Sequence, residues 1–210
     1  MQFDFDKLDG TERYKLLGST VTPRPIAWVS TVGVDGRLNA APFSFFNVFG
    51  EDPAIVGFSI LHRSETDRKD TGENVRRRGE FVVNLVSEDN LDKMNVSAIE
   101  FPPHFSEFSE AGLTPAASVK IDTPRIAESH VAFECLLTQI ITLGPLRSLV
   151  LGEVVLMHIR DEAVIDAQKC YIDNRKLRLV GRMDANTYVR TSDIVQLPRI
   201  QFESWMSSAK

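Results

Sequence analysis

The run Arg24-Pro25-Ile26-Ala27-Trp28-Val29-Ser30-Thr31-Val32, with Val34-Asp35-Gly36-Arg37 and Leu38-Asn39-Ala40-Ala41-Pro42-Phe43 after it, decides the reading of this chain. Pro23 and Pro25 hold their neighbours extended, so the chain enters a strand at Ile26 that runs to Val34, rich in β-branched and aromatic residues. The Asp35-Gly36 pair tolerates the positive φ of a tight hairpin turn, and Leu38 to Phe43 is expected to return antiparallel. That strand leaves through Ser44-Phe45-Phe46-Asn47, too polar for plain core and too aromatic for plain loop. Either the phenylalanines are core and the polar residues close the strand, or rings, backbone amides and the Asn47 carboxamide face a heterocycle. Periodicity does not separate the two.

Upstream, Tyr14 to Gly18 reads as one helical turn closed by Gly18 or as an irregular arm. Downstream, Glu51-Asp52-Pro53 is a turn, and Ala54 to Ile60 is a strand apolar enough to be buried on both faces. After a charged loop from Leu61, Asp70-Thr71-Gly72-Glu73 has the form of a capping box, and the helix it opens ends at Gly79 behind Arg76-Arg77-Arg78. Glu80 to Ser87 is a strand, and Ser87 is placed to cap a helix over Glu88 to Ser97 with Leu91, Met94 and Ala98 inward. Phe101 to Pro115 reads as a long loop. Ser129 to Thr142 and Arg147 to Ile159 are long strands, with a bulge expected at Gly152. Beyond residue 160 only a helical turn at Cys170-Tyr171-Ile172 and a short strand at Leu177 to Val180 stand out. About six strands in short-turn succession argue for a closed antiparallel β-barrel with peripheral helices, built as a single domain over 1–210. The barrel core spans about 14–160, and the tail 161–210 packs on it or on a partner subunit.

Composition fits this picture and excludes others. With 210 residues, 43% hydrophobic, 25% charged and a net charge of −5, the chain is an ordinary globular one without a basic face for nucleic acid. No apolar run is long enough to cross a membrane as a helix, and the acidic start Met1-Gln2-Phe3-Asp4-Phe5-Asp6 is unlike a signal peptide. Cys135 and Cys170 are far apart and lack paired-ligand spacing, which points to a reducing cytoplasm. The four histidines, His62, His104, His130 and His158, are scattered, and no metal-ligand spacing, Gly-rich dinucleotide loop or GxSxG elbow occurs.

One loop carries more. His62-Arg63-Ser64 and Arg68-Lys69-Asp70-Thr71 put fixed positive charge and hydroxyls ahead of a helix start, where free backbone N–H groups suit a phosphate. On spacing alone the commoner state of such a loop is solvated, with an ordinary capping box.

The stretches RPIAWVST, DGRLNAAPFSFFNVFGEDPAIVGFSI, RKDTGENV, GEFVVNLV, SEFSEAGLTP, LGEVVLMHI and GRMDANTYVRT, in this order from about Tyr14 to about Thr191, resemble the flavin reductase-like family of FMN-binding split barrels. The branch resembled is the one that contains flavoredoxins. The resemblance implies a mainly β fold, a six-stranded antiparallel split barrel that acts as a homodimer with FMN near the subunit interface. It implies ring contacts from Trp28, Ser30 and Thr31, partly through backbone groups, and from Ser44, Phe45 and Asn47. It implies phosphate contacts from Lys69 and Thr71, then Arg63 and Ser64, with Asp70 capping the helix. Tyr188 and Arg190 would close over the flavin or over the partner subunit, or else pack the tail.

The activity implied is an FMN-dependent oxidoreductase that passes electrons from a reduced donor, NAD(P)H or a redox protein, to flavin, oxygen or a protein acceptor. The alternatives are a non-enzymatic flavoredoxin-like carrier and a flavin-free barrel with a structural or regulatory role. Arg147 stands where pyridine-nucleotide-using relatives often carry a histidine, and arginine cannot shuttle a proton near neutral pH. His104 is the other candidate for the pocket mouth, or a plain surface loop residue.

Overall fold

A computed structural model describes residues 1–102 and 104–208. Pro103 of the expected 101–115 loop and the last two residues of the tail lie outside the described residues. The elements in order are α1 (Gly10–Thr20), β1 (Ala27–Val32), β2 (Leu38–Phe43), β3 (Phe46–Glu51), β4 (Ala54–Leu61), α2 (Asp70–Arg78), β5 (Glu80–Leu85) and α3 (Leu91–Ser97). There follow α4 (Glu107–Glu110), the two-residue strands β6 (Pro115–Ala116) and β7 (Arg125–Ile126), and the long pair β8 (Val131–Thr142) and β9 (Arg147–Ile159). The tail holds β10 (Val164–Asp166), β11 (Tyr171–Ile172), α5 (Asn174–Leu177), β12 (Val180–Arg182), β13 (Tyr188–Arg190) and α6 (Phe202–Ser208).

The hairpin forms as its residues require. Gly36 takes φ 81°, Gly33 and Arg37 close the turn at 2.8 Å, and β1 pairs with β2 from Ala27↔Phe43 to Val32↔Leu38. One antiparallel sheet of seven strands follows, in the order β2-β1-β5-β8-β9-β4-β3. Its two edges are β2 and β3, consecutive pieces of chain separated only by Ser44 and Phe45. A sheet whose edges are joined by two residues has to curl, and the Ser59 N–H donating to the Phe45 carbonyl at 2.8 Å fastens the bend to β4. Counted as one bent strand, β2 and β3 leave six staves, and the fold is the antiparallel split barrel with short outer helices.

The bend also divides the core. Ala27, Val29, Phe58, Phe81, Val83 and Val150 fill the barrel, while Trp28, Ile26, Met94, Phe108 and Ile126 form a second cluster between β1 and the helices. β1 is therefore buried on both faces along its whole length. The expectation placed that pattern on Ala54 to Ile60, but β4 is only half covered outside: Val56, Phe58 and Ile60 point inward, and Ile55 and Ser59 remain half-exposed.

Other local expectations change for identifiable reasons. Residues 14–18 lie within a full helix, because Asp9 accepts from Glu12 N–H at 2.8 Å while the Glu12 carboxylate accepts from Asp9 N–H at 2.9 Å. Asp70 does not cap α2: Lys69 holds that position without a side-chain bond, and the Asp70 carboxylate lies 3.8 Å from Arg63. The turn before α3 is held by Asn90, whose side-chain oxygen accepts from Ser87 N–H at 2.8 Å. Phe108, buried in the second cluster, folds part of the 101–115 loop into α4. Cys170 has φ 55° and Tyr171–Ile172 is strand rather than helix. Asp173 accepts from Arg175 N–H at 3.2 Å and starts α5, so the tail strand begins only at Val180.

Gly152 is not the bulged residue. The register shifts fall at Leu137/Gln139 and Glu134/Cys135, while Gly152 itself stays paired to Leu137 and Val56. It is glycine because Phe81 covers it: a Cβ there would meet the ring at 2.4 Å, and Phe81 is fully buried edge-on to Phe58. Gly152→Ala is expected to lower stability by about 1–3 kcal/mol through overpacking. A chemical-denaturation midpoint equal to that of the wild type would contradict this packing.

Candidate functional site

Two hollows run along β2 and meet at Pro42 and Ala98. The larger, about 470 Å³, lies between the start of the β2–β3 bend and α3, with Tyr14, Ser44, Met94, Asn95, Arg182 and Tyr188 around it. The smaller, about 80 Å³, lies at the start of α2 beside Arg63, Lys69 and Thr71. Together they make one trough with a partly apolar end and a basic end, in the size range of small-molecule sites.

The basic end is built by the β4–α2 loop. Buried His62 holds it in shape: its Nδ1 accepts from Lys69 N–H at 3.4 Å, which leaves Nε2–H to donate to Ser148 Oγ at 2.9 Å. Burial, followed by the charge of Arg68, lowers the pKa of His62, so the neutral ring this geometry needs is the favoured form at neutral pH. The first turn of α2 carries no side-chain cap; Gly72 N–H donates to the Lys69 carbonyl at 3.0 Å, which leaves the N–H groups of Asp70 and Thr71 as its donors for a ligand. Thr71 Oγ1 accepts from the Asn39 amide at 3.1 Å, and Lys69 Nζ reaches across to Glu100 at 3.2 Å. Arg63 lies between Asp67 at 3.3 Å and Asp70 at 3.8 Å. Glu107 borders the same hollow and accepts from Ala40 N–H at 3.4 Å; burial pushes its carboxyl pKa up.

At the other end Phe45 lies behind the trough. Its ring stacks on Tyr14 at 5.8 Å and carries the guanidinium of Arg147 at 5.1 Å and that of Arg24 at 5.8 Å. Arg147 donates to Ser59 Oγ at 3.2 Å; burial lowers its pKa, opposed by the nearby Tyr14. The tail closes the far wall through Tyr188, whose hydroxyl accepts from Arg182.

The structure thus gathers Ser44, Arg63, Lys69 and Thr71 along one trough, with Tyr188 at its rim. It does not bring the other expected residues to it. Trp28 is fully buried and donates to Ser97 Oγ at 2.9 Å, Ser30 donates to the Pro124 carbonyl at 2.8 Å, and Thr31 accepts from Asn74 at 3.0 Å. Asn47 is exposed on β3, its side-chain oxygen accepting from Val48 N–H at 2.9 Å. The Ser64 hydroxyl accepts from Asp67 N–H at 2.9 Å within its own turn. His104 is exposed against Phe105, and Arg190 is exposed and paired with Glu88 at 3.1 Å. Conversely, Tyr14, Asn39, Asn95, Glu107 and Arg182 line the trough though the sequence reading gave them no role there; Asn39, Glu107 and Arg182 do fall within the stretches that carry the resemblance. Only the Asp9–Glu12 pair, by predicting α1, could have drawn attention to Tyr14.

Comparison with known proteins gives this trough a context. The family described as "Flavin reductase like domain" matches residues 18–178. An uncharacterized protein of Aquifex aeolicus is 41% identical over 190 residues, which is 90% of this chain and 95% of that one. Among solved structures, 2-nitrobenzoate 2-nitroreductase NbaA of Pseudomonas fluorescens superposes with a TM-score of 0.89 at 35% identity, covering 96% of this chain and 98% of its own. Nitrilotriacetate monooxygenase component B of Bacillus cereus gives a TM-score of 0.89 at 31% identity, covering 94% of this chain and 98% of its own.

Proposed function

Because the chain belongs to the flavin reductase-like domain family, and is on that ground a flavin-related oxidoreductase, we propose that it binds FMN in the β2 trough and passes electrons through it. One observation carries the reading: the uncapped start of α2 and the Lys69 ammonium open into the same trough as the wider cleft beside Ser44 and Met94. A phosphate fits the first and a flat ring system the second. The bound flavin supplies hydride and single-electron chemistry. The chain's own groups do the rest. Amides of α2, Lys69 and Arg63 hold the phosphate, with Lys69 exchanging Glu100 for it. Pro42, Ser44 and Met94 wall the ring from water, and Tyr188 closes the rim.

We further read the chain as one cytoplasmic domain that works as a homodimer. The outer face of β3, where Val48 and Phe49 are 61% and 62% exposed, supports that pairing, and light scattering on the purified protein tests it.

A colourless purified protein that leaves added FMN fluorescence unquenched would overturn the FMN reading and leave a flavin-free barrel. Lys69→Ala is expected to weaken FMN by about 1–3 kcal/mol, the worth of a charge-assisted hydrogen bond. Unchanged affinity in a fluorescence titration would place the phosphate elsewhere.

Arg147 favours a second reading, in which a redox protein and not NAD(P)H is the donor. Its guanidinium rests on Phe45 and Ser59 and offers no proton shuttle, and His104 borders none of the hollows along β2. Anaerobic mixing of the FMN-loaded protein with NADPH or NADH separates the two: rapid bleaching of the flavin band supports the reductase, and persistence of the band supports the carrier.

A further inference from the structure

Of the basic side chains around the trough and its ring end, Arg147 is held unlike the rest. Lys69 pairs with Glu100 at 3.2 Å, and Arg63 with Asp67 at 3.3 Å and Asp70 at 3.8 Å. Arg24 is buried against the carbonyls of Gly18, Val21 and Met183, and Arg182 donates to the Tyr188 hydroxyl and the Ala185 carbonyl. Arg147 is half-buried, and its one hydrogen bond goes to the neutral Ser59 hydroxyl at 3.2 Å. Among the described residues no carboxylate pairs with it, and the guanidinium's other nitrogens stay open to solvent.

The guanidinium is nonetheless fixed in place. It lies over the Phe45 ring at 5.1 Å, and Ser59 secures both groups: its Oγ accepts from Arg147, while its N–H donates to the Phe45 carbonyl at 2.8 Å. Tyr14 stacks on the same ring at 5.8 Å and 26°, stays 49% exposed, and lines the wide hollow of the trough.

We propose that Arg147 is the seat of an organic monoanion, a small aromatic carboxylate whose ring lies along Tyr14 beside the wide end of the trough. The inference deepens the flavin reading above by naming the class of a companion ligand, and it rests on that reading for what lies next to the ligand's ring.

A half-buried cation without a counter-ion carries a desolvation cost that nothing in the chain offsets. Burial lowers the pKa of Arg147 for that reason, opposed only by the nearby Tyr14. A guanidinium still keeps its charge at any working pH, and its planar donors match the two oxygens of a carboxylate. Stacking on Phe45 has already restricted the side chain, so little ordering remains to be done when a ligand arrives. The charge suits one negative charge, whereas a phosphate dianion is better served at the α2 start, where Lys69, Arg63 and backbone amides converge. The exposed ring of Tyr14 favours a flat, aromatic body over an aliphatic one.

Calorimetric titration of the full chain with benzoate, benzamide and acetate, with and without FMN, tests this. Benzoate is expected to bind saturably, and the other two at least about tenfold more weakly, since benzamide lacks the charge and acetate the ring. On the FMN-loaded chain benzoate is also expected to perturb the flavin absorption band. Arg147→Gln is expected to weaken benzoate about tenfold, the loss of one charge-assisted pair, with FMN affinity and denaturation midpoint unchanged. Arg147→Lys should restore only part of the affinity, because a point charge lacks the paired donors. Ser59→Ala, which frees the guanidinium but keeps its charge, should give a smaller loss in the same direction. Benzoate binding equal in the wild type and Arg147→Gln, no benzoate binding to an FMN-loaded chain, or benzamide or acetate binding as tightly as benzoate overturns the inference and leaves the flavin reading standing. Arg147-dependent benzoate binding in a chain that takes up no flavin would overturn the flavin reading and keep the anion seat.

Discussion

Trp28→Ala is expected to cost about 3–5 kcal/mol of folding stability, seen as a lower denaturant midpoint at unchanged slope. Trp28 has no exposed surface and packs in the second core cluster with Ile26, Met94 and Phe108. Its indole N–H donates to Ser97 Oγ at 2.9 Å, and that hydroxyl donates onward to the Met94 carbonyl at 2.7 Å. The residue thus props α3 from beneath, and α3 forms one wall of the proposed flavin trough through Met94 and Asn95. Flavin affinity should fall with stability, as a consequence of a shifted wall. Trp28→Phe keeps most of the apolar volume and leaves Ser97 bonded to Met94, so about 1–2 kcal/mol is expected there. A Trp28→Ala protein as stable as the wild type, with flavin binding abolished, would show that the indole is a ring contact and refute its place in the core.

That contrast shows what the sequence made legible. The hairpin, β4, the end of α2 at Gly79, β5 and the long β8–β9 pair could be read because their signals are local: β-branched runs, an Asp-Gly turn and a glycine after a basic turn. The antiparallel barrel followed from their succession. Which face of β1 looks where could not be read, because Ala27 to Val32 is buried on both sides and its alternation carries no polarity contrast. Trp28, Ser30 and Thr31 therefore could be attributed to a ligand while their side chains bond to Ser97, Pro124 and Asn74. Lys69 and Thr71 were legible because a helix start and basic charge are adjacent in sequence. Arg182 and Tyr188, paired across the β12–β13 hairpin, meet Tyr14 at the trough from the far end of the chain, and of the three only Tyr188 was marked by the resemblance. The same holds for Asp70: its spacing to Glu73 satisfies a capping box, yet the nearby Arg63 guanidinium claims the carboxylate.

Glu134 is the second residue whose loss should be severe. It lies on β8 with no exposed surface, and its carboxylate accepts from Val119 N–H at 2.8 Å, Lys120 N–H at 2.7 Å and His158 Nε2 at 2.6 Å. Burial by itself would raise its pKa; the three donors reverse that, and the carboxyl titrates below the ordinary glutamate value. On the next strand, Glu80 accepts from Thr123 N–H at 2.8 Å, so two carboxylates pin the 118–123 segment over the sheet. Glu134→Ala leaves buried donors facing a cavity, and about 3–5 kcal/mol of destabilisation is expected. The pH dependence follows from the direction of the shift. A carboxyl with a depressed folded-state pKa contributes stability that is fully present above its unfolded value, about 4.3, and that is lost as pH falls through the lower folded value. The stability gap between wild type and Glu134→Gln should therefore be constant near neutral pH and narrow as the solution is taken below about pH 4. Urea titrations across that range measure it. A gap that stays the same, or widens toward acid, would show that Glu134 is not held as the buried carboxylate that ties this segment down.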